Sequence, residues 1–256
     1  SACRLVFGEA DGLPGFTADR YNDVIVTEIL CAGTERMKKL LYHTMLEELG
    51  GEVTAIYERS DSPLRQKEGL EPFVGWAVGT GSGHTVIEEN GVRFAVDYIR
   101  GQKTGFFLDQ ARNRAEVMRM AYGKKVLDCF THTGAFALHA ALGGASSVTA
   151  VDVSDLALDT AKENARLNGV GDMEYVRRDV FELLTELAAG KRGAYDFIIL
   201  DPPAFTRSGS TVEAAARGYR MINRKAMQIL PRGGLLATCS CSHFMTDEKF
   251  RDTLLQ

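Results

Sequence analysis

Residues 124–152 read KKVLDCFTHTGAFALHAALGGASSVTAVD, and this stretch decides the fold. A short apolar strand, Lys125–Cys129, runs into a turn that contains one glycine, Gly134. An apolar helix, Gly134–Leu142, follows, and a second strand, Ser147–Val151, leads to Asp152. Near-continuous apolar strands separated by helices indicate a parallel sheet covered on both faces. The pattern repeats downstream. Strands are predicted at Met173–Val176, Tyr195–Leu200 and Gly234–Cys241, and helices at Ser154–Asn168, Val180–Ala189 and Thr211–Leu230. A further helix is predicted over Asp247–Leu255. The fold class is therefore α/β, a doubly wound Rossmann-like sheet.

Upstream the periodicity changes. Asp23–Leu30 (DVIVTEIL) is rich in β-branched residues and predicts a strand. Thr34–Leu49 carries Met37, Leu40, Leu41, Met45, Leu46 and Leu49 at helical spacing, with Thr34 as the expected N-cap. Gly50-Gly51 ends that helix, and Val53–Glu58 predicts another strand. Asn90-Gly91, between HTVIEE and VRFAVD, predicts a β-hairpin. These elements predict a small α+β domain with an antiparallel sheet over residues 1–100, and the parallel-sheet domain over 101–256.

The formal net charge is −4, which argues against a chain that coats nucleic acid through its overall charge but leaves room for a local basic face. No apolar run reaches the roughly 18 residues that span a bilayer. Ser1-Ala2-Cys3-Arg4 does not open a secretory signal. The cysteines are Cys3, Cys31, Cys129, Cys239 and Cys241. Their odd number and irregular spacing do not suit a disulfide framework, so free thiols in a reducing, cytoplasmic setting are expected.

In doubly wound sheets the ligand lies beyond the carboxyl ends of the strands. The turn Asp128-Cys129-Phe130-Thr131-His132-Thr133-Gly134 lacks the extra glycines that let a backbone approach a pyrophosphate. S-adenosylmethionine has no phosphate, and one tight glycine suffices for it. Asp152 ends the second strand, where a carboxylate can accept from both ribose hydroxyls. Asp179 follows the third strand and can accept from an adenine amine, cap the next helix, or do both. His132 and His139 read as packing or loop residues, and Cys129 as core.

The fourth strand ends in Asp201-Pro202-Pro203-Ala204-Phe205. Two prolines remove two backbone donors and fix two φ angles, which holds Asp201 rigidly at the strand end. Phe205 offers a face on which a base could stack. The fifth strand carries Thr238-Cys239-Ser240-Cys241-Ser242, with both thiols expected on one strand face. One C-x-C does not supply a metal site. A thiol beside a carboxylate and a methyl donor instead suggests covalent catalysis on cytosine, where addition at carbon 6 makes carbon 5 nucleophilic. The alternative is that both thiols are small core residues.

These residues resemble a known family, the bacterial large-subunit ribosomal RNA cytosine carbon 5 methyltransferases whose full-length members begin with a PUA domain. The resemblance covers nearly the whole chain. It rests on Gly8-Glu9-Ala10-Asp11-Gly12-Leu13-Pro14-Gly15 with Asp19-Arg20-Tyr21, on Tyr57-Glu58-Arg59-Ser60-Asp61, and on Gly101-Gln102-Lys103-Thr104-Gly105-Phe106-Phe107-Leu108-Asp109-Gln110. The Asp128–Gly134 turn, Asp201-Pro202-Pro203, Arg217-Gly218-Tyr219 and Ser240-Cys241-Ser242 complete it. It implies a class I methyltransferase fold, S-adenosylmethionine as donor, and Cys241 as nucleophile with Asp201 beside it. Thr238-Cys239-Ser240 is also similar to the nucleophile motif of other RNA cytosine methyltransferases, so Cys239 is the second candidate. The expected cofactor contacts are Gln110, Asp128, Phe130, Thr131, Gly134, Asp152, Asp179 and Asp201. Ala111 stands where a basic residue is expected, with Arg112 next to it. The resemblance implies a preceding PUA domain and two further C-terminal strands, so the sequence reads as a truncated piece.

Between Arg207 and Arg232 stand Arg217, Arg220, Arg224 and Lys225 against Glu213 alone. With Lys103, Phe205 and Tyr219, the residues Arg207, Arg217 and Arg220 form the expected contacts to ribosomal RNA, and Arg65, Lys67 and Arg100 could extend the track. No membrane partner and no metal are expected, and the reading allows a homodimer. Three alternatives remain: methylation of another base position, such as a guanine ring nitrogen, without a thiol; a nicotinamide-dependent oxidoreductase, disfavoured by the lone Gly134; and a non-catalytic RNA-binding module.

Overall fold

The computed structural model describes residues 2–190, 192–206 and 208–256. Two compact units divide the chain, Ser1–Ala111 and Arg112–Gln256. Among the described residues no helix is long and apolar enough to cross a membrane.

The first unit holds β1 (Ala2–Phe7), β2 (Phe16–Tyr21), β3 (Val24–Ile29), α1 (Ala32–Leu49), β4 (Ala55–Ser60), α2 (Leu64–Lys67), β5 (Phe73–Val78), β6 (His84–Glu89) and β7 (Val92–Asp97). Strands β1 to β5 form one sheet in chain order. The sheet is mixed rather than antiparallel as expected: β3 and β4 run parallel because α1 crosses between them, while the other neighbours are antiparallel. Phe16, Ala18, Ile25, Ile29, Tyr42, Val53 and Ile56 build the core under α1. Thr34 does not cap α1. Cys31 takes the cap position, and Thr34 Oγ1 donates to the carbonyls of Pro14 and Cys31. The predicted hairpin is present as β6–β7, with Asn90 and Gly91 at φ 52° and 78°, a two-residue turn with both central residues left-handed.

The sequence places the domain boundary near Arg100, whereas residues 101–110 belong with the first unit. A buried polar network explains it. Asp19, with no exposed surface, accepts two bonds from Arg4 at 2.8 Å and one from Thr104 Oγ1. The Tyr21 hydroxyl bonds Thr104 and receives the amide of Phe106 at 3.1 Å. Here the D-R-Y and K-T-G segments hold the unit together.

The second unit takes α3 (Ala111–Met120) from Arg112 onward and continues β8 (Lys125–Cys129), α4 (Ala135–Leu142), β9 (Ser147–Asp152), α5 (Asp155–Leu167), β10 (Met173–Arg177), α6 (Val180–Ala189), β11 (Phe197–Leu200), α7 (Val212–Ile229), β12 (Leu235–Thr238) and α8 (Asp247–Leu255). All its strands are parallel, in the order β10-β9-β8-β11-β12. This is the doubly wound α/β sheet. β8 and β11 are central, and every residue of β11 is buried. The core of Leu127, Val151, Leu184, Ile198, Leu200 and Ile222 lies between the sheet and helices α6 and α7.

Candidate active site

Winding reverses between β8 and β11, and the crevice at their carboxyl ends is the expected ligand position. At the end of β8, Asp128 is only 1% exposed. Its Oδ2 accepts from Thr131 Oγ1 at 2.6 Å and from the Ala137 amide, in the first turn of α4, at 3.0 Å. Oδ1 is buried and has no hydrogen-bond partner among the described residues. Burial pushes this carboxyl up to about 7; the two hydrogen bonds oppose the rise, and the charges of Asp201 and Asp152 add to it.

The turn after β8 is tightly wound. Phe130, His132 and Gly134 have φ of 63°, 51° and 75°, a strained conformation for the two that carry side chains. Pairing with β9 holds it. Thr131 N donates to the Val151 carbonyl and His132 N to Asp152 Oδ2, both at 2.9 Å. At Gly134 a Cβ would lie 2.7 Å from the Cβ of Ala161, so α5 packs directly on the bare glycine. Burial lowers the pKa of the His132 imidazole, which favours its neutral form, against the pull of Asp152. His139 is buried and bonds back to the Ala135 carbonyl within α4, a packing role.

Asp152 is partly exposed, and its Oδ1 accepts from Ser154 N at 3.0 Å. Each oxygen thus holds one backbone N–H and keeps capacity for another donor. Asp179 is exposed and caps α6, with Oδ1 accepting from Phe181 N and Glu182 N. S-adenosylmethionine carries a ribose diol, an adenine amine, an ammonium and a sulfonium: donors and cations, with no phosphate. The crevice offers carboxylate acceptors, one of them the unpartnered buried Oδ1 of Asp128, and a turn with a single glycine. The residues present therefore fit that group.

The residues expected to carry the chemistry follow β11 and β12. Asp201 follows β11, and its amide lies 3.5 Å from the Cys129 carbonyl. β12 stops at Thr238, earlier than expected, so Cys239 and Cys241 lie beyond the strand and pleat alternation does not set their directions. Cys239 N makes one more ladder bond, to the Leu200 carbonyl at 2.8 Å. Neither thiol is sealed in the core: Cys239 is half-buried and Cys241 is exposed, with Sγ 3.6 Å from the Pro202 carbonyl.

Two expected RNA contacts are placed differently. Tyr219 has no exposed surface, so it is not a direct RNA contact; it lies on the core side of α7. Phe205 is not a free stacking platform. Its ring packs against Tyr219 at 4.5 Å and Phe181 at 5.7 Å between centroids. A Cβ at position 218 would lie 3.1 Å from that ring, so Gly218 provides its seat. Sequence reasoning missed this role of Arg217-Gly218-Tyr219. The cue was the helical spacing of Ala215, Tyr219, Ile222 and Ala226, which puts Tyr219 on the apolar face.

Opposite that face, Arg217, Arg220, Met221, Arg224, Lys225 and Gln228 line a groove of about 390 Å³. Glu213 is paired with Lys249, and its charge also interacts with Arg217 and Arg220. Arg220 is partly buried and also donates to the Gln256 side chain. Arg207 lies outside the described residues. In the first unit, Gln110 ends the short 3-10 turn Leu108–Gln110. Lys103 is exposed, with Nζ 4.5 Å from the Phe107 ring centre. Arg65 is buried, not part of a basic track: it donates to the carbonyls of Ile29 and Glu71 and to Glu35.

The sequence profile described as S-adenosylmethionine-dependent methyltransferase matches residues 13–253. Over 252 residues the chain is 47% identical to ribosomal RNA large subunit methyltransferase I of Shewanella denitrificans, covering 97% of this chain and 62% of that protein. Its counterpart in Shewanella frigidimarina is 46% identical, with the same coverage. The chain thus spans 62% of the length of these curated relatives. Among solved structures, SMU.776, described as a methyltransferase and crystallised with SAH, superposes with a TM-score of 0.84 at 26% identity, over 99% of this chain and 64% of that one.

Proposed function

Because the chain belongs to the S-adenosylmethionine-dependent methyltransferase family, we propose that it methylates carbon 5 of a cytosine in large-subunit ribosomal RNA through a covalent adduct on Cys241. The relatives named for ribosomal RNA support the substrate class. The observation that carries the mechanism is an exposed thiol, Cys241, 3.6 Å from the carbonyl of Pro202 in the Asp201-Pro202-Pro203 loop.

In this reading Asp152 holds the ribose diol of the cofactor, Asp128 faces its cationic groups, and the turn through Phe130, Thr131 and Gly134 walls the crevice. Asp179 uses its second oxygen for the adenine amine while capping α6. Gln110 is proposed as a further contact. Bound S-adenosylmethionine supplies a methyl group on a positively charged sulfur, which a carbon nucleophile displaces. Cytosine carbon 5 is a poor nucleophile until the Cys241 thiolate bonds to carbon 6 and the electrons of the 5,6 double bond concentrate at carbon 5. Asp201 hydrogen-bonds the ring nitrogen as charge shifts there. After methylation, a base takes the carbon 5 proton, the 5,6 double bond re-forms, and the thiolate leaves with the electrons of the S–C bond. Arg217 and Arg220 position the RNA through phosphates. Lys103, in the first unit, and Arg207 are proposed as further phosphate contacts.

The test is methylation of unmodified ribosomal RNA with labelled donor, followed by mass-spectrometric identification of the modified base. The reading expects methylated cytosine from wild type and from Cys239→Ser, and none from Cys241→Ala. Loss on Cys239→Ser alone moves the nucleophile to Cys239. Methylated guanine, insensitive to both substitutions, overturns the thiol mechanism.

A further inference from the structure

The loop that carries Cys241 is held by a buried phenol twenty-two positions away in the chain (241 − 219). Ser240 Oγ donates to the Tyr219 hydroxyl at 3.0 Å. The same hydroxyl lies 2.9 Å from Ser242 Oγ. Ser242 Oγ, in a residue only 4% exposed, also accepts from Phe205 N at 3.1 Å and lies 3.5 Å from Thr206 N. Both side chains that flank Cys241 are therefore tied to one oxygen. One of them is tied in turn to the backbone just after Asp201-Pro202-Pro203.

The ring of Tyr219 continues the connection. It stacks on Phe205 at 4.5 Å and meets Phe250 of α8 edge-on at 5.3 Å. Gly218, beside it, gives Phe205 the room to approach. One side chain thus fixes the loop after β11, which bears Asp201, against the loop after β12, which bears Cys241. Only Cys241 of the Ser240–Ser242 segment is left exposed, with Sγ turned to the Pro202 carbonyl.

We propose that Tyr219 is a positioning residue: it aims the Cys241 thiol at the target base by clamping Ser240 and Ser242 to the Asp201 loop. The proposal rests on the reading of Cys241 as nucleophile, and it acts through the serines rather than by contact with substrate. The geometry accounts for the distance in sequence between R-G-Y and S-C-S, which the fold brings to a single hydroxyl. A nucleophile on an irregular segment lacks a ladder to hold it, and small misplacements of a reacting atom cost about a hundredfold in rate.

The test is Tyr219→Phe, which keeps the ring and its packing and removes only the hydroxyl. Hydrogen exchange reports the clamp itself. The amides of Phe205, Thr206 and Ser242 lose protection in the variant, and unchanged protection overturns the proposal. Kinetics report its consequence. We expect kcat to fall about tenfold or more, with KM for RNA, cofactor affinity and thermal midpoint near wild type, since only the aim is lost. Alkylation of Cys241 by iodoacetamide, followed by peptide mass spectrometry, is expected to be no slower than in wild type, because the thiol itself is intact. An unchanged kcat, or a loss matched by equal losses in cofactor affinity and folded fraction, overturns the positioning role. Ser240→Ala is the second variant if Tyr219→Phe does not fold. It removes half of the clamp from a half-buried residue and is expected to lower kcat in the same selective way; an unchanged kcat counts against the proposal. If Cys241→Ala keeps full activity, the nucleophile reading fails, while the exchange result still decides whether Tyr219 holds the loop.

Discussion

Asp128 is a buried carboxyl at the end of β8, and replacing it with asparagine has a consequence that depends on pH. Burial raises this group to about 7 from the model-compound value of 3.8. The folded protein therefore binds a proton between those pH values that the unfolded chain releases. Stability falls as pH rises through that window, by about 4 kcal/mol in full and by about 3 kcal/mol between pH 5 and pH 8. Asp128→Asn removes the titration. Its amide oxygen can keep the bonds from Thr131 and Ala137, but its NH2 then occupies the site of the partnerless Oδ1. A buried donor without an acceptor costs about 1–3 kcal/mol. Relative to wild type the variant is thus expected to gain about 3 kcal/mol between pH 5 and pH 8, lying near or below wild type at pH 5 and above it at pH 8, at about 2–4 °C of midpoint per kcal/mol. The assay is thermal unfolding of cofactor-free protein at both pH values. Calorimetric titration with S-adenosylmethionine supplies the second arm. In the proposed reading the cofactor's cationic groups arrive beside Asp128 and favour its ionised form, so wild-type affinity is expected to rise up to about tenfold per pH unit below 7 and to level off above it. The variant is weak and flat. A stability difference that does not change between pH 5 and pH 8, or a flat wild-type affinity, refutes the reasoning.

Three further outcomes are expected. Gly134→Ala forces an l-residue to φ 75° and a methyl group to 2.7 Å from Ala161, so it is expected to lower stability by about 2 kcal/mol or more in denaturant titration and to weaken cofactor binding. Asp19→Ala strips the partner from Thr104 and from the solvent-exposed Arg4 in the first unit and is expected to cost about 1–3 kcal/mol by the same titration. Replacing Arg217 and Arg224 together by alanine is expected to weaken RNA binding and to reduce the slope of log affinity against log salt by about 1 for each lost phosphate contact, in filter-binding assays across salt concentrations.

The parallel sheet is readable from the sequence because β8, β9 and β11 are buried on both faces and therefore appear as unbroken apolar runs. The strained turn after β8 is readable only in part. Gly134 marks it, but nothing in the residue types announces that Phe130 and His132 also adopt positive φ. β1 and β2 escape a periodicity reading because Arg4 and Asp19 interrupt their apolar pattern, and only the fold brings those charges together. The end of β12 is misjudged for a related reason. Small residues continue past Thr238, yet the backbone leaves the ladder because Ser240 and Ser242 bond to Tyr219 in a distant helix. Tyr219 itself sits among arginines in sequence and opposite to them in space, since neighbours along a helix point to different faces.

The central claim is a bond between Cys241 and the target base. It is tested most directly with ribosomal RNA containing 5-fluorocytosine, whose carbon 5 carries a fluorine that cannot leave as a proton, so the adduct persists after methylation. Incubation with S-adenosylmethionine, digestion and mass spectrometry of the cross-linked peptide should give the nucleotide attached to Cys241, and no cross-link in Cys241→Ala. Full methylation of normal RNA with no adduct on Cys239 or Cys241 would contradict it.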